Sequence, residues 1–163
     1  GLATRPHFED QFNREVDLST REHREFALVL IDIDSVTPTS AAQDPAAMDR
    51  VHETIGRLLR SNTRAMDASC RYDGNRFAVL LSGVGLATAH ARVEGLRRQC
   101  ATQIVAHAGK EVGFTVSMGV ASFPHTASTK EELLTACVAA LVDALKRGGN
   151  RVALASIQFQ VAP

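Results

Sequence analysis

Hydrophobic and polar residues recur along the chain with the spacing of an α-helix in some segments and form short apolar runs typical of strands in others. Residues 6 to 24 place Phe8, Phe12 and Val16 at helical spacing, which predicts an amphipathic helix. The apolar run that follows, within residues 25 to 33, is short enough for a buried strand. This strand is predicted to end in two carboxylates, Asp32 and Asp34, which are placed to hold a ligand.

The rest of the chain predicts a further series of helices and strands. A linker rich in Thr, Pro, Ser and Ala is expected over residues 35 to 47, and an amphipathic helix with Met48 and Leu59 on its apolar side comes next. A β-hairpin is predicted around the turn 73–76, since Asp, Gly and Asn favour tight turns. The later segments are a helix over 86–106, a strand over 112–121, a helix over 129–147 ended by two glycines, and a strand from about residue 150. The apolar stretch 159–163 either extends that strand or forms a tail.

Composition narrows the classes of protein. A length of 163 residues with 45% hydrophobic residues suits one globular domain. Eighteen basic residues balance eighteen acidic ones, so the net charge favours neither a nucleic acid nor a membrane surface as partner. Three widely spaced cysteines predict buried thiols in a reducing compartment, and no apolar run is long enough to cross a bilayer. A cytoplasmic domain is expected, as a fragment of a longer regulatory protein.

Five sequence segments occur in a recognisable order. They are Gly1-Leu2, Leu30-Ile31-Asp32-Ile33-Asp34, Arg71-Tyr72-x-Gly74-x-x-Phe77 with the apolar residues after it, Thr115-Val116-Ser117-Met118-Gly119, and Gly148-x-Asn150-Arg151-Val152. Together they resemble the signatures of the GGDEF (diguanylate cyclase) family over essentially the whole chain. The resemblance implies an α/β (α+β) fold: a single GGDEF-type domain over 1–163, with a mainly antiparallel five-stranded sheet flanked by helices and related to nucleotide cyclase and polymerase palm domains.

The resemblance also implies a catalytic site that holds GTP with metal ions, and several of its positions are altered here. Asp32 matches a metal-binding Asp of the family, and Asp49 matches a guanine-contacting acid. Where the family has Gly-Gly-Asp/Glu-Glu-Phe, this chain has Asp73, Gly74, Asn75, Arg76 and Phe77. Arg76 puts a positive charge where a divalent ion would lie, which opposes metal binding.

Two further sets of family contacts also depart from the pattern. The guanine-contacting Asn falls at Ser40, and the phosphate-binding Lys and Arg fall at Leu145 and Gly149. From the resemblance we therefore expect a degenerate domain that is not an enzyme and needs neither metal nor cofactor.

A second site of the family, which binds the product cyclic di-GMP, has a counterpart in Arg64-Ala65-Met66-Asp67. Arg donates to guanine O6 and N7, and Asp accepts from guanine N1 and N2. The family's additional Arg on the following helix falls at Gly95, and Arg92, Arg97 and Arg98 are the candidates to replace it; Arg71 could add a phosphate contact.

The Arg-x-x-Asp spacing by itself is weak evidence for a ligand site. Arg14-Glu15-Val16-Asp17 repeats it, and an exposed ion pair is the alternative interpretation of Arg64 and Asp67.

Two functional hypotheses follow. The first is a non-catalytic cyclic di-GMP receptor domain, which could act as a homodimer or with a partner signalling domain. The second is a ligand-free interaction or dimerisation scaffold that regulates a neighbouring domain.

Overall fold

The computed structural model describes residues 2 to 157. The elements are, in chain order, α1 (Arg5–Glu22), β1 (Phe26–Thr37), α2 (Thr39–Ala42), α3 (Pro45–Asn62), β2 (Ala68–Asp73), β3 (Arg76–Ser82), α4 (Leu86–Thr102), β4 (Val105–His107), β5 (Lys110–Phe123), α5 (Lys130–Lys146) and β6 (Val152–Leu154). The sequence predicted every long element. The stretch 159–163, for which two structures were left open, lies outside the described residues.

In the described part of the chain, the strands form one sheet of six in the order β2-β3-β1-β5-β4, with β6 added beside β5. Among these strands, β5 and β6 pair in parallel, and the other four pairings are antiparallel. The predicted α+β fold with a mainly antiparallel sheet is therefore confirmed. The expected strand number of five is wrong, because the short β4, which the sequence assigned to the end of α4, adds a sixth.

The predicted linker 35–47 is also wrong in part. Strand β1 continues to Thr37, and a single turn of helix, α2, follows at once. Alternate residues of β1 point to opposite faces of the sheet, so its apolar run supplies two cores. Ala27, Val29 and Ile31 pack with α3 and α4 on one face, while Phe26, Leu28 and Leu30 pack with α1 and α5 on the other.

Gly119 of β5 allows the second of these cores to close. A Cβ at this position would lie 2.4 Å from the carbonyl oxygen of Cys137 and 2.5 Å from the nitrogen of Leu141, both in the backbone of α5. The missing side chain therefore lets helix and sheet approach closely. The three cysteines are buried, as the sequence predicted. Within residues 2–157, no helix combines the length and the apolar character needed to cross a membrane.

Candidate functional site

The end of β1 meets the β2–β3 turn, and this turn places Arg76 against Asp32. The two residues are direct neighbours in the antiparallel β1–β3 pairing. Arg76 donates from Nε to Oδ1 of Asp32 at 2.8 Å and from Nη2 to Oδ2 at 3.1 Å. Gly74 turns the chain with a φ of 47°, a conformation that glycine adopts without steric cost. The result is a two-pronged ion pair in which both carboxylate oxygens are engaged.

The Asp32–Arg76 ion pair leaves neither carboxylate oxygen of Asp32 free to bind a divalent cation. The hydrogen bond to Asp32 raises the pKa of Arg76 above its ordinary value, so the guanidinium stays charged. Within residues 2–157, no three His, Cys, Asp or Glu side chains are grouped so as to hold a metal ion. As arranged, these residues do not fit the divalent cation that the family implies. A cation reaches Asp32 only after Arg76 has left it.

Asn75, beside Arg76 in the turn, is held from helix α3. His52 Nε2 lies 2.7 Å from Asn75 Oδ1, and because the amide oxygen can only accept, His52 donates from Nε2. His52 Nδ1 is buried without a hydrogen-bond partner among the described residues. Asp49 lies on the same helix and is exposed. Sequence reasoning placed no functional weight on His52, since it is 23 positions from Asn75 and nothing in the sequence between them signals the contact.

Asp34 forms hydrogen bonds with residues on the other side of this end of the sheet. It accepts hydrogen bonds from the hydroxyls of Thr115 and Ser117 and, at 2.7 Å, from the backbone N–H of Asn150. A Cβ on Gly149 would lie 2.7 Å from Asp34 Oδ2, so the residue there must be small. Asp34 thus fixes the turn after α5. The sequence predicted that Asp34, like Asp32, would hold a ligand, whereas in the structure its oxygens are engaged by β5 and by the turn after α5.

At the other end of β3, Arg64, Asp67 and Arg92 come together; we call these three residues the Arg64 surface. Asp67 accepts from the backbone N–H groups of Arg64 at 2.8 Å and Ser82 at 3.0 Å, and from Arg92 Nη2 at 3.0 Å. Arg64 Nη2 lies 3.6 Å from Asp67 Oδ1 and donates to the carbonyl oxygen of Ser82 at 2.7 Å. Two guanidinium groups from different elements therefore converge on one carboxylate.

Exposure differs sharply within the Arg64 surface. The side chain of Asp67 is 0% exposed, whereas that of Arg64 is 47% exposed and that of Arg92 is 25% exposed. Burial raises the pKa of Asp67, but hydrogen bonds from the Arg64 backbone N–H and the Arg92 side chain outweigh it, so this pKa lies below its ordinary value. Asp67 is therefore an ionised, internal carboxylate, and Arg64 is the more exposed of the two arginines, because Arg92 Nη1 is itself buried. Arg92 Nη1 has no hydrogen-bond partner within residues 2–157.

The remaining arginines predicted for a ligand site lie elsewhere. Arg71 donates from Nε to the carbonyl oxygen of Gly74, which places it at the hairpin turn. Arg97 bonds Glu94 and Asn150, and Arg98 contacts Glu94 with 73% of its side chain exposed. Of the three helix arginines considered, the structure brings Arg92 to Asp67.

This fold is that of a single α+β domain, with one cluster of charged side chains at each end of β3. The family model described as "Diguanylate cyclase, GGDEF domain" matches residues 1–151. The chain therefore belongs to the GGDEF family, a family of cyclic di-GMP signalling domains, as its sequence segments predicted.

Individual relatives agree with this assignment. The chain is 27% identical over 139 residues to Diguanylate cyclase A of Treponema denticola, covering 85% of this chain and 38% of that protein. It is 30% identical over 160 residues to the probable diguanylate cyclase DgcC of Escherichia coli, covering 96% of this chain and 42% of that protein. The chain thus spans less than half the length of either relative.

A solved structure shares the fold. The coiled coil and GGDEF domain of DgcB from Caulobacter crescentus, in complex with c-di-GMP, superposes with a TM-score of 0.83 at 20% identity, covering 94% of this chain and 82% of that one.

The names of the relatives correct one expectation. From the altered metal, guanine and phosphate positions together we expected a domain that is not an enzyme, but the relatives that the chain matches are named as diguanylate cyclases. The prediction of a non-enzyme is therefore wrong on this comparison. The reasoning behind it took departures from the family's motif residues as decisive for the class of the whole domain.

Proposed function

We propose that this GGDEF domain binds cyclic di-GMP at the Arg64 surface. The observation that carries the proposal is the convergence of Arg64 and Arg92 on Asp67, a contact between a loop and a helix 25 residues apart in the chain. Family membership supports the ligand class, because the family is described as diguanylate cyclase, an activity whose product is cyclic di-GMP.

The chemistry of the surface suits both parts of such a ligand. Arginine donates two parallel hydrogen bonds to O6 and N7 of guanine or to the oxygens of a phosphate. Arg64 is half-exposed, so its guanidinium can reach a ligand without unfolding its surroundings. Asp67 holds both guanidinium groups at a fixed separation, which reduces the entropy that ligand binding would otherwise cost. A direct contact of Asp67 with guanine N1 and N2 stays a prediction, and it requires an exchange of its present partners.

Calorimetric titration of cyclic di-GMP into the purified domain, without added metal, tests the proposal. The matched control comes from the chain itself, because Arg14 belongs to the second Arg-x-x-Asp segment and lies exposed on α1. We expect Arg64→Ala and Arg92→Ala each to weaken binding by about tenfold or more, the loss of a charge-assisted hydrogen bond. We expect Arg14→Ala to bind as the unaltered domain does. No detectable heat at high ligand concentration would reject the proposal and favour a scaffold for protein contacts.

A second candidate function, synthesis of cyclic di-GMP from GTP, is favoured by the names of the relatives. Asp32 is the residue of this chain on which such an activity would depend, and Arg76 now occupies it. Product formation from GTP, followed by chromatography for the unaltered domain and for Asp32→Asn, tests the candidate. Turnover that is lost in Asp32→Asn supports it, whereas product formation that Asp32→Asn leaves unchanged assigns the activity to another source.

A further inference from the structure

A cavity of about 430 Å³ opens beside Arg64, between helix α1 and the end of α3. The residues of its wall that matter here are His7 and Gln11 from α1, Arg60 and Thr63 from the end of α3, and Arg64. Its volume lies within the range of sites that take small molecules. Since Arg64 belongs to both, the cavity is continuous with the Arg64 surface.

The charges around the cavity favour an anion. Arg60 is exposed, and its guanidinium has no ion-pair partner within residues 2–157. Among the described residues that line the cavity, Asp67 is the one acidic residue, and its carboxylate is engaged by Arg92 and by backbone N–H groups. Two guanidinium groups, Arg60 and Arg64, therefore face the cavity with donors that the protein does not use fully.

Helix α1 supplies a fixed polar wall. His7 and Gln11 are four residues apart, so they lie on the same side of the helix. The neighbouring side, about 100° round the helix, is anchored by Phe8 and Phe12, both 0% exposed, in the second core. Just before the helix, the backbone N–H of Ala3 donates to the carbonyl oxygen of Ser69 at 2.8 Å, which joins this region to β2. The helix backbone that carries His7 and Gln11 is thus held in place before a ligand arrives.

We infer that this cavity is a second subsite of the cyclic di-GMP site, in which Arg60 and Arg64 bind a phosphate and Gln11 and His7 contact the attached guanosine. The inference rests on the proposed function. A glutamine side chain carries both donors and an acceptor, so it can pair with a guanine edge, and an imidazole can stack on a base or donate to a phosphate. The ligand then bridges α1 and the α3–β2 junction, and helix α1 becomes part of the binding site.

Substitution of Arg60 tests this subsite. Arg57 is the matched control, because it is an exposed arginine of the same helix, one turn earlier, that does not line the cavity. In calorimetric titrations with cyclic di-GMP, we expect Arg60→Ala and Gln11→Ala each to weaken affinity by about tenfold, and Arg57→Ala to leave it unchanged. Arg60→Lys should fall between, since it keeps the charge and loses the planar fork.

Hydrogen exchange gives an independent readout. Ligand should slow amide exchange in the first two turns of α1, and this protection should be reduced in Gln11→Ala. Unchanged affinity in both Arg60→Ala and Gln11→Ala, while Arg64→Ala abolishes binding, overturns the subsite and leaves the proposed function in place. Absence of binding to the unaltered domain overturns both.

Discussion

Replacing Asp67 by alanine is expected to destabilise the domain, although this residue was first proposed as a ligand contact. Its carboxylate is fully buried and accepts three hydrogen bonds, from Arg64 N, Ser82 N and Arg92 Nη2. The substitution leaves the N–H of Ser82, a residue only 4% exposed, without its acceptor. It also leaves Arg92 with the carbonyl oxygen of Asn62 as its one remaining hydrogen-bond partner in the part of the chain that is described.

The size of this effect follows from those contacts. An unsatisfied buried N–H costs about 1–3 kcal/mol, and removing one member of a buried ion pair costs about 3–5 kcal/mol. Arg92 is one-quarter exposed, so water compensates it in part. We therefore expect a loss of about 3 kcal/mol in the free energy of unfolding, a large share of the 5–15 kcal/mol typical of a domain. Asp67→Asn should lose about 2 kcal/mol, because an amide retains only one oxygen.

Urea unfolding followed by circular dichroism measures this difference, and pH adds a second check. The pKa of Asp67 in the folded domain lies below the ordinary value of 3.8. Its stabilisation is therefore complete above that value and disappears as the pH falls through the folded-state pKa. The gap between the unaltered domain and Asp67→Ala should narrow on acidification below about pH 4. Asp17→Ala, in the second Arg-x-x-Asp segment, is the control. Equal stability of Asp67→Ala and the unaltered domain at neutral pH would refute the reasoning.

Three further predictions concern other parts of the molecule. Arg76→Ala frees both carboxylate oxygens of Asp32. Calorimetry should therefore detect Mn²⁺ binding about tenfold tighter than in the unaltered domain or in the control Arg71→Ala. Equal affinities would show that Arg76 does not compete with the cation for this carboxylate. Gly119→Ala should destabilise the domain to urea by about 3 kcal/mol, because the new methyl group meets the backbone of α5; a stable variant would mean that helix and sheet can separate. Burial raises the thiol pKa of Cys70 to about 11 and of Cys100 and Cys137 to about 12. Mass spectrometry should therefore find slow alkylation by iodoacetamide at pH 8 in the folded domain and fast alkylation in urea. Rapid modification of the folded domain would contradict the burial of these thiols.

Local sequence signals were sufficient for most of the fold. The run that forms β1 is apolar because both faces of this strand are buried, and the hairpin turn contains the glycine that its positive φ requires. Strand β4 was missed because its three residues are held by pairing with β5, and their own pattern continues that of the preceding helix. The pairing of β4 with β5 in the folded chain therefore determines the structure of these three residues.

The candidate site, like the fold, could be predicted only in part from local sequence. Arg64 and Asp67 could be selected from their spacing, but the burial of Asp67 depends on Ser82 and Arg92, which are 15 and 25 residues away. Charged residues are mostly exposed, so the sequence favoured a solvent-facing carboxylate. The contact of His52 with Asn75 likewise joins a helix to a turn. Such partners are set by the packing of elements and leave no trace in local spacing.

The location of bound cyclic di-GMP tests the central claim most directly, and it can be read from amide chemical shifts of the isotope-labelled domain during titration. We predict that the largest changes fall at residues 60–69, around Arg92 and at the start of α1, with little change at Asp32 and in the turn 73–76. Changes concentrated at Asp32 and that turn, or no changes at saturating ligand, would contradict the assignment of the ligand to the Arg64 surface.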